Sequence, residues 1–365
     1  MILSRGAGRY FPESMEYLRL KLSSTNLLEK EMAMYLVCKL RSIINQTPAI
    51  KNALPTLIAN YVIPEFSNSE MLLRAKAVDM FTAYGDIEYP DKNLLKIAVE
   101  GVYKCLAADP NKIVSLKAAC AFSCILEHKE AVDMVKPFLN NILTEYVKLL
   151  DTFDNEDIIR SLETIVRLSS DCIAPFAVEL IRHLSNIFLK YCKIDNEKSK
   201  DDNYEGDVEM AASGCLNAIT IILNAPIPNE VLPAIEELLI PVVSFCLTQA
   251  GNDHFMDSIE CLAAYLYKAP TLSQRVWFFF PVIVYYVIGI KKGTDTSAVQ
   301  QFNESQNEIF SNLQTKRLEE VDIILPVLRV YIFKGQSMIM GGQKDFFGEN
   351  LLRLLIELTD TIYRA

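Results

Sequence analysis

An all-α chain of stacked helix pairs is what this sequence predicts, from two interleaved spacings and a composition that favours helices. The first spacing is an Asn or Asp followed six residues later by a basic residue. It pairs Asn68 with Arg74, Asn111 with Lys117 and Asp154 with Arg160, each pair 43 residues after the last. The second is a proline embedded in an apolar helical run, at Pro55, Pro137, Pro175, Pro233, Pro281 and Pro326, in steps of 82, 38, 58, 48 and 45 residues. The first step is about two periods, and the step of 58 holds an insertion. Apolar residues make up 51% of the chain and only 13 residues are glycine, a balance that suits helices better than turn-rich β structure. A period in the low forties with helical periodicity marks two-helix HEAT-type units. The two marks alternate, so each unit has a proline-marked helix A and an Asx-marked helix B. The expectation is a single HEAT-repeat α-solenoid over residues 1–365, a right-handed superhelix of about eight helix pairs.

The pairs expected in order are 12–23 with 27–46, 49–66 with 69–84, 91–107 with 112–127, and 130–151 with 155–170. They continue as 174–192 with 207–225, 229–249 with 253–267, 272–290 with 296–314, and 318–334 with 344–363. Short connections suit antiparallel neighbours. Helix 155–170 shows the pattern: Ile158, Ile159, Leu162, Ile165 and Val166 form one face, and Glu156, Arg160, Glu163 and Arg167 the other. Asp154 stands where an N-cap belongs. A capping Asx that also accepts from the base of an adjoining repeat would build a ladder through Asn68, Arg74, Asn111, Lys117, Asp154 and Arg160. The alternative is a local cap and a surface base. Proline is tolerated best in a first helical turn, which gives the A helices their mark.

Residues 193–207 break the pattern. They are polar, with the acids Asp195, Glu197, Asp201, Asp202, Glu205 and Asp207 against three lysines, and read as a loop inserted between helices A and B of one unit, with 1–192 before it and 208–365 after. Residues 276–290 are apolar, yet a 15-residue helix rises only roughly 22 Å against a hydrocarbon core of about 30 Å, so a buried A helix is expected and no membrane span. The last helix keeps an apolar face (Leu351, Leu352, Leu354, Leu355, Leu358, Ile362) where solenoid ends carry polar caps, so the expectation is a segment of a longer array.

Net charge is −10, with 46 acids against 36 bases. That balance disfavours nucleic acid, which calls for a Lys/Arg surplus, and favours basic protein partners. Nine scattered cysteines without framework spacing read as reduced thiols, and residues 1–11 lack a signal-peptide core. Cys120, Cys124 and His128 share a helix face at i, i+4, i+8, but no fourth ligand is evident, so no metal is expected. His183 and His254 stand alone. Gly341-Gly342-Gln343-Lys344 lacks the first glycine of a phosphate loop, and nucleophile elbows, zincin motifs and kinase signatures are absent. No enzyme activity and no cofactor are expected.

Several segments resemble importin-beta-type transport receptors, closest to the seven/eight branch. Lys30-Glu31-Met32-Ala33-Met34-Tyr35-Leu36-Val37 is similar to the family's K-E-G-A-L-x-x-I helix, with Met32 in place of glycine. Tyr61-Val62-Ile63-Pro64-Glu65-Phe66 and Leu73-Arg74-Ala75-Lys76-Ala77 follow in the family's order, then Val114–Ala121 and Ile173–Leu180. The clear similarity spans about residues 28–192.

The resemblance implies a nuclear import receptor that shuttles between cytoplasm and nucleus under control of the GTPase Ran. Its B helices would line a concave wall for basic cargo such as histones or ribosomal proteins. It also implies that Ran is bound by repeats with no counterpart here, and that Phe-Gly nucleoporins dock between A helices. The wall acids expected to meet cargo are Glu156, Asp157 and Glu163, then Asp257 and Glu260, then Glu304 and Glu308, with the acidic loop as a second candidate. A solvated helix face is the alternative for each. Trp277, Phe278, Phe279 and Phe280 would suit a pore-binding groove, but a buried A helix explains them better, and no pore-binding residue is assigned. A rigid HEAT scaffold assembling a phosphatase or ubiquitin-ligase complex is the competing reading, because fold alone does not separate the two.

Overall fold

The computed structural model describes residues 7–85, 87, 89, 91–150, 152–153, 156–168, 173–198, 205–289, 321–345 and 348–363. Among them every regular element is helical, beside one isolated bridge between Lys344 and Asn350. The chain forms two compact units. Unit 1, Met1–Cys172, holds α1 (Ala7–Leu22), α2 (Leu27–Lys39), α3 (Arg41–Asn45), α4 (Pro48–Tyr61), α5 (Met71–Ala83), α6 (Lys92–Ala107), α7 (Lys112–Ile125), α8 (Lys129–Val135), α9 (Leu139–Leu150) and α10 (Glu156–Leu168). Unit 2, Ile173–Ala365, holds α11 (Ala177–Lys198), α12 (Glu205–Asn224), α13 (Leu232–Cys246), α14 (Phe255–Lys268), α15 (Gln274–Ile288), α16 (Val321–Lys334), α17 (Gln336–Met340) and α18 (Leu351–Tyr363).

Local chemistry sets the helix ends. Asn26 accepts from the Leu28 and Glu29 N–H groups, Asp91 from Asn93, Asn111 from Ile113 and Ser273 from Val276. Each side chain satisfies a donor that the first turn leaves free. Pro48 opens α4, and Gly289, at φ 75°, ends α15. Pro137 breaks the expected helix 130–151 into α8, a 3₁₀ turn and α9.

Two layers result. In unit 1 the B helices α2, α5, α7 and α10 stack on one another, and in unit 2 α12, α14 and α16 do so, with the A helices as the second layer. Apolar faces fill the space between: Val78, Phe81, Ala118, Phe122, Ile158 and Leu162 in unit 1, and Leu216, Ile219, Ile259, Leu262 and Ile324 in unit 2, are all buried. Side chains also bond across the stack. The Tyr84 hydroxyl donates to the Val37 carbonyl at 2.6 Å, and the His128 ring meets the Gly85 carbonyl. Tyr146 and Ser161 hydroxyls share the Ala119 carbonyl at 2.6 and 2.7 Å. In unit 2, Tyr331 donates to the Val276 carbonyl at 2.8 Å, and the Phe255 and Tyr286 rings stack at 3.9 Å.

The structure corrects the register of the last repeats. Helix 318–334 was expected as a proline-marked A helix, but α16 stacks on the B helix α14, and α18 stacks on the A helix α15. The Lys334 ammonium reaches the carbonyls of Leu266, Tyr267 and Ala269 at the end of α14. Helix α15 is therefore paired with α16, and α18 begins another A position. The proline mark misleads here because Pro326 and Asp322, the residue whose carbonyl loses its partner, both face solvent; a B helix bears that loss as easily as an A helix. The expected helix 296–314 lies outside the described residues. The insertion at 193–207 is also shorter than expected, since α11 runs to Lys198 and α12 starts at Glu205. Lys and Glu continue a helix readily once an apolar face has nucleated it. Over residues 276–287 the chain is the buried helix α15, and no described helix is long and apolar enough to cross a membrane.

Gly101 lies inside α6, where a glycine ordinarily weakens a helix. A Cβ there would stand 2.4 Å from the Phe66 ring, and Phe66 is itself buried. Overpacking outweighs the gain in helix propensity, so Gly101→Ala should lower stability by about 1 kcal/mol. Urea unfolding checks this, and a more stable variant would contradict the close packing of α6 on Phe66.

Candidate interaction surface

The polar bonds at the repeat turns use other acceptors than the spacing suggests. Asn68 accepts from the Glu70 N–H at 2.8 Å and donates to Glu65, and Asn111 accepts from Ile113 at 2.9 Å, so both act within their own turns. Arg74 reaches the next repeat through Asp109, with Nε 2.5 Å and Nη2 2.9 Å from its two carboxylate oxygens. Its Nη1 donates to the Asn68 and Ser69 carbonyls at 2.8 and 2.9 Å. The pair is shielded, with side chains 11% and 3% exposed. Lys117 reaches back to Asp79 at 2.5 Å. Arg160 sits 3.8 Å from Asp157 on its own helix, and Asp154 lies outside the described residues. A carboxylate offers two acceptor oxygens and a charge, so it can bridge where a capping Asn is already used.

The B layer of unit 1 carries a chain of alternating charges. Glu31 on α2 lies 3.7 Å from Lys76 on α5, Lys76 lies 3.3 Å from Asp79, and Asp79 holds Lys117 on α7. Lys76 and Lys39 also face the Tyr35 ring, at 5.2 and 5.5 Å. Sequence reading missed Glu31, Lys76, Asp79 and Asp109. The available signal was the i, i+3 pair Lys76/Asp79 on the helix that also carries Arg74.

The expected wall acids fall into three groups. Asp157 is exposed beside Arg160, and Glu163 holds Arg167 at 2.5 Å, so these two acids of α10 are charge-paired. Glu156 starts α10, with its side chain outside the described residues. In unit 2, Asp257 is half-buried and Glu260 exposed on α14, and neither forms an ion pair with a described residue. Glu304, Glu308, Asp201 and Asp202 lie outside the described residues. Asp195 and Glu197 lie on α11 and Glu205 and Asp207 on α12, with side chains outside the description.

Burial pushes the thiols of Cys105, Cys120 and Cys261 up to about 12 and that of Cys38 up to about 11. They stay protonated at neutral pH and are poor nucleophiles. Among the described residues no group of three His, Cys, Asp or Glu side chains is placed to hold a metal.

Grooves open on the helices among the described residues. Val99, Met134, Pro137 and Phe138, with Lys92, Lys96, Glu100, Glu130 and Asp133, line about 570 Å³ between α6 and α8 in the A layer of unit 1. In unit 2, Trp277, Phe278 and Pro281 line about 240 Å³, while Phe279 and Phe280 are buried in the core. An apolar groove of about 900 Å³ runs between α16 and α18, beside the exposed Phe333 and Tyr363.

Known proteins place this arrangement. No family model matches the sequence. The importin beta-like SAD2 homolog of Arabidopsis thaliana is 30% identical over 257 residues, 70% of this chain and 24% of that protein. Over that span the chain belongs to the importin-beta family. The probable importin-7 homolog of Dictyostelium discoideum is 26% identical, over 72% of this chain and 24% of that protein. Importin-8 of Mus musculus is 24% identical, over 68% of this chain and 24% of that protein. The chain thus spans about a quarter of the length of the curated relatives it matches. These relatives bear the names of transport proteins, not of enzymes.

Burial pushes the Asp109 carboxyl up, but the Arg74 fork and the Asn111 N–H more than offset this and hold it below the ordinary carboxylate range. A carboxyl lowered in the folded state stabilises fully above its unfolded value of about 4, and the benefit is lost as pH falls through the folded value. Arg74→Ala should cost about 3 kcal/mol at pH 7 by leaving Asp109 buried without its partner. Asp109→Asn should remove the acid-side loss of stability contributed by this pair. Denaturant titrations between pH 2 and about 7 check both, and an Arg74→Ala protein as stable as the native one would contradict the bridge.

Proposed function

We propose that this chain is the middle segment of a nuclear import receptor that carries basic protein cargo on the wall formed by its B helices. The observation that carries this reading is the match to importins over about 70% of the chain. In the proposal the receptor shuttles between cytoplasm and nucleus, Ran in its GTP-bound form controls release through repeats other than these, and Phe-Gly nucleoporins dock on the A-helix side. The net charge of −10 suits a basic partner through electrostatic complementarity.

Within the wall, Asp257 and Glu260 are favoured as cargo contacts because no described cation neutralises them. Glu156, Asp157 and Glu163, the acids of the 193–207 stretch, and Glu304 and Glu308 remain part of the proposed surface. The arginine neighbours of Asp157 and Glu163 reduce what those two acids can contribute. A release step would follow from a change in how successive repeats pack, not from a local catalytic event.

Core histones are a suitable probe. Asp257→Lys with Glu260→Lys should weaken histone binding about tenfold at low ionic strength and flatten its salt dependence. Native affinity in a folded double variant would remove these residues from the site. GTP-loaded Ran should leave the histone complex of this chain intact in a pull-down, and release by Ran would contradict the assignment of Ran binding to other repeats.

A further inference from the structure

The chain of ion pairs in unit 1 bears on how a basic partner would reach that part of the wall. Glu31, Lys76, Asp79 and Lys117 come from three successive B helices and lie in the order acid, base, acid, base, with separations of 3.7, 3.3 and 2.5 Å. All four side chains are partly solvated, between 17% and 34% exposed. Partly solvated pairs exchange partners at small cost, whereas a shielded pair such as Arg74 with Asp109 does not. Lys76 is held further by the Tyr35 ring at 5.2 Å. Both carboxylates of this set, Glu31 and Asp79, already have a lysine, so neither is a vacant acid for an incoming cation.

We infer that Lys76 and Lys117 act as built-in competitors, so a basic segment binds the unit 1 wall by displacing them from Glu31 and Asp79. This rests on the proposed basic-partner reading and adds its regulation. Asp79 is the pivotal acid because it serves lysines from two helices, Lys76 on α5 and Lys117 on α7. Displacement frees Lys117 from the link between α5 and α7, so binding also loosens one contact between successive repeats. Isolated single cations gain little by such exchange. A segment with several neighbouring lysines gains at each acid and wins through effective concentration.

Fluorescein-labelled decalysine, followed by anisotropy at low ionic strength, tests this. Lys76→Gln with Lys117→Gln should bind the probe about fivefold tighter than the native chain. Lys117→Gln alone should show part of that gain, and keeps the test valid if the double variant unfolds. Lys96→Gln with Lys104→Gln, two exposed lysines on the A helix α6 that form no ion pair with a described residue, makes the same change in net charge and should match the native chain. Adding Glu31→Gln and Asp79→Asn to the lysine variant should abolish the gain. No gain on removing the wall lysines, or an equal gain in the α6 control, overturns the inference. If that happens while Asp257→Asn with Glu260→Gln still weakens the probe, the basic-partner reading stands and only the exchange falls. If no form of the chain binds decalysine, both fall.

Discussion

The structure depends on the carbonyl-to-side-chain bonds that tie each B helix to the next. A helix leaves its last carbonyls without partners, and a stacked array buries many of those ends. Here the next helix supplies donors: Tyr84 to Val37, His128 to Gly85, and Lys334 to the carbonyls that end α14. The Lys334 ammonium also opposes the negative end of the α14 dipole. Apolar packing alone would let one helix slide along another, whereas a bond to a specific carbonyl fixes the register. At the opposite end of the α5 helix, Arg74 and Asp109 do the same with charge.

Much of this organisation could be read in the sequence. The 43-residue Asx spacing located α5, α7 and α10, and the apolar face of α10 appeared residue by residue as the buried set Ile158, Ile159, Leu162, Ile165 and Val166. The last repeats were not legible in that way. Proline marks a helix only through its missing N–H, and where the affected turn faces solvent, as at Pro326, it says nothing about which layer the helix joins. The decisive contact, Lys334 on the end of α14, joins residues more than sixty positions apart and leaves no local pattern.

The surface was less legible than the fold. Acids on B helices were visible in sequence, but their neutralisation was not. Glu163 meets a base on its own helix at i+4, a spacing that sequence shows, whereas Asp79 and Glu31 are paired across helices, which only stacking reveals. A net charge of −10 is therefore a poor guide to where an acidic wall is open. Among the described residues, ion pairs link successive B helices in unit 1, while Asp257 and Glu260 of unit 2 stand without cationic partners.

The B layers as working face make the most direct claim on experiment. Hydrogen exchange read by mass spectrometry, with and without saturating core histones, measures it on the whole chain. Protection should appear on α5, α7, α12 and α14 and spare the A helices α4, α6 and α13. Protection confined to the A helices, or none at histone concentrations that saturate binding, would contradict the account.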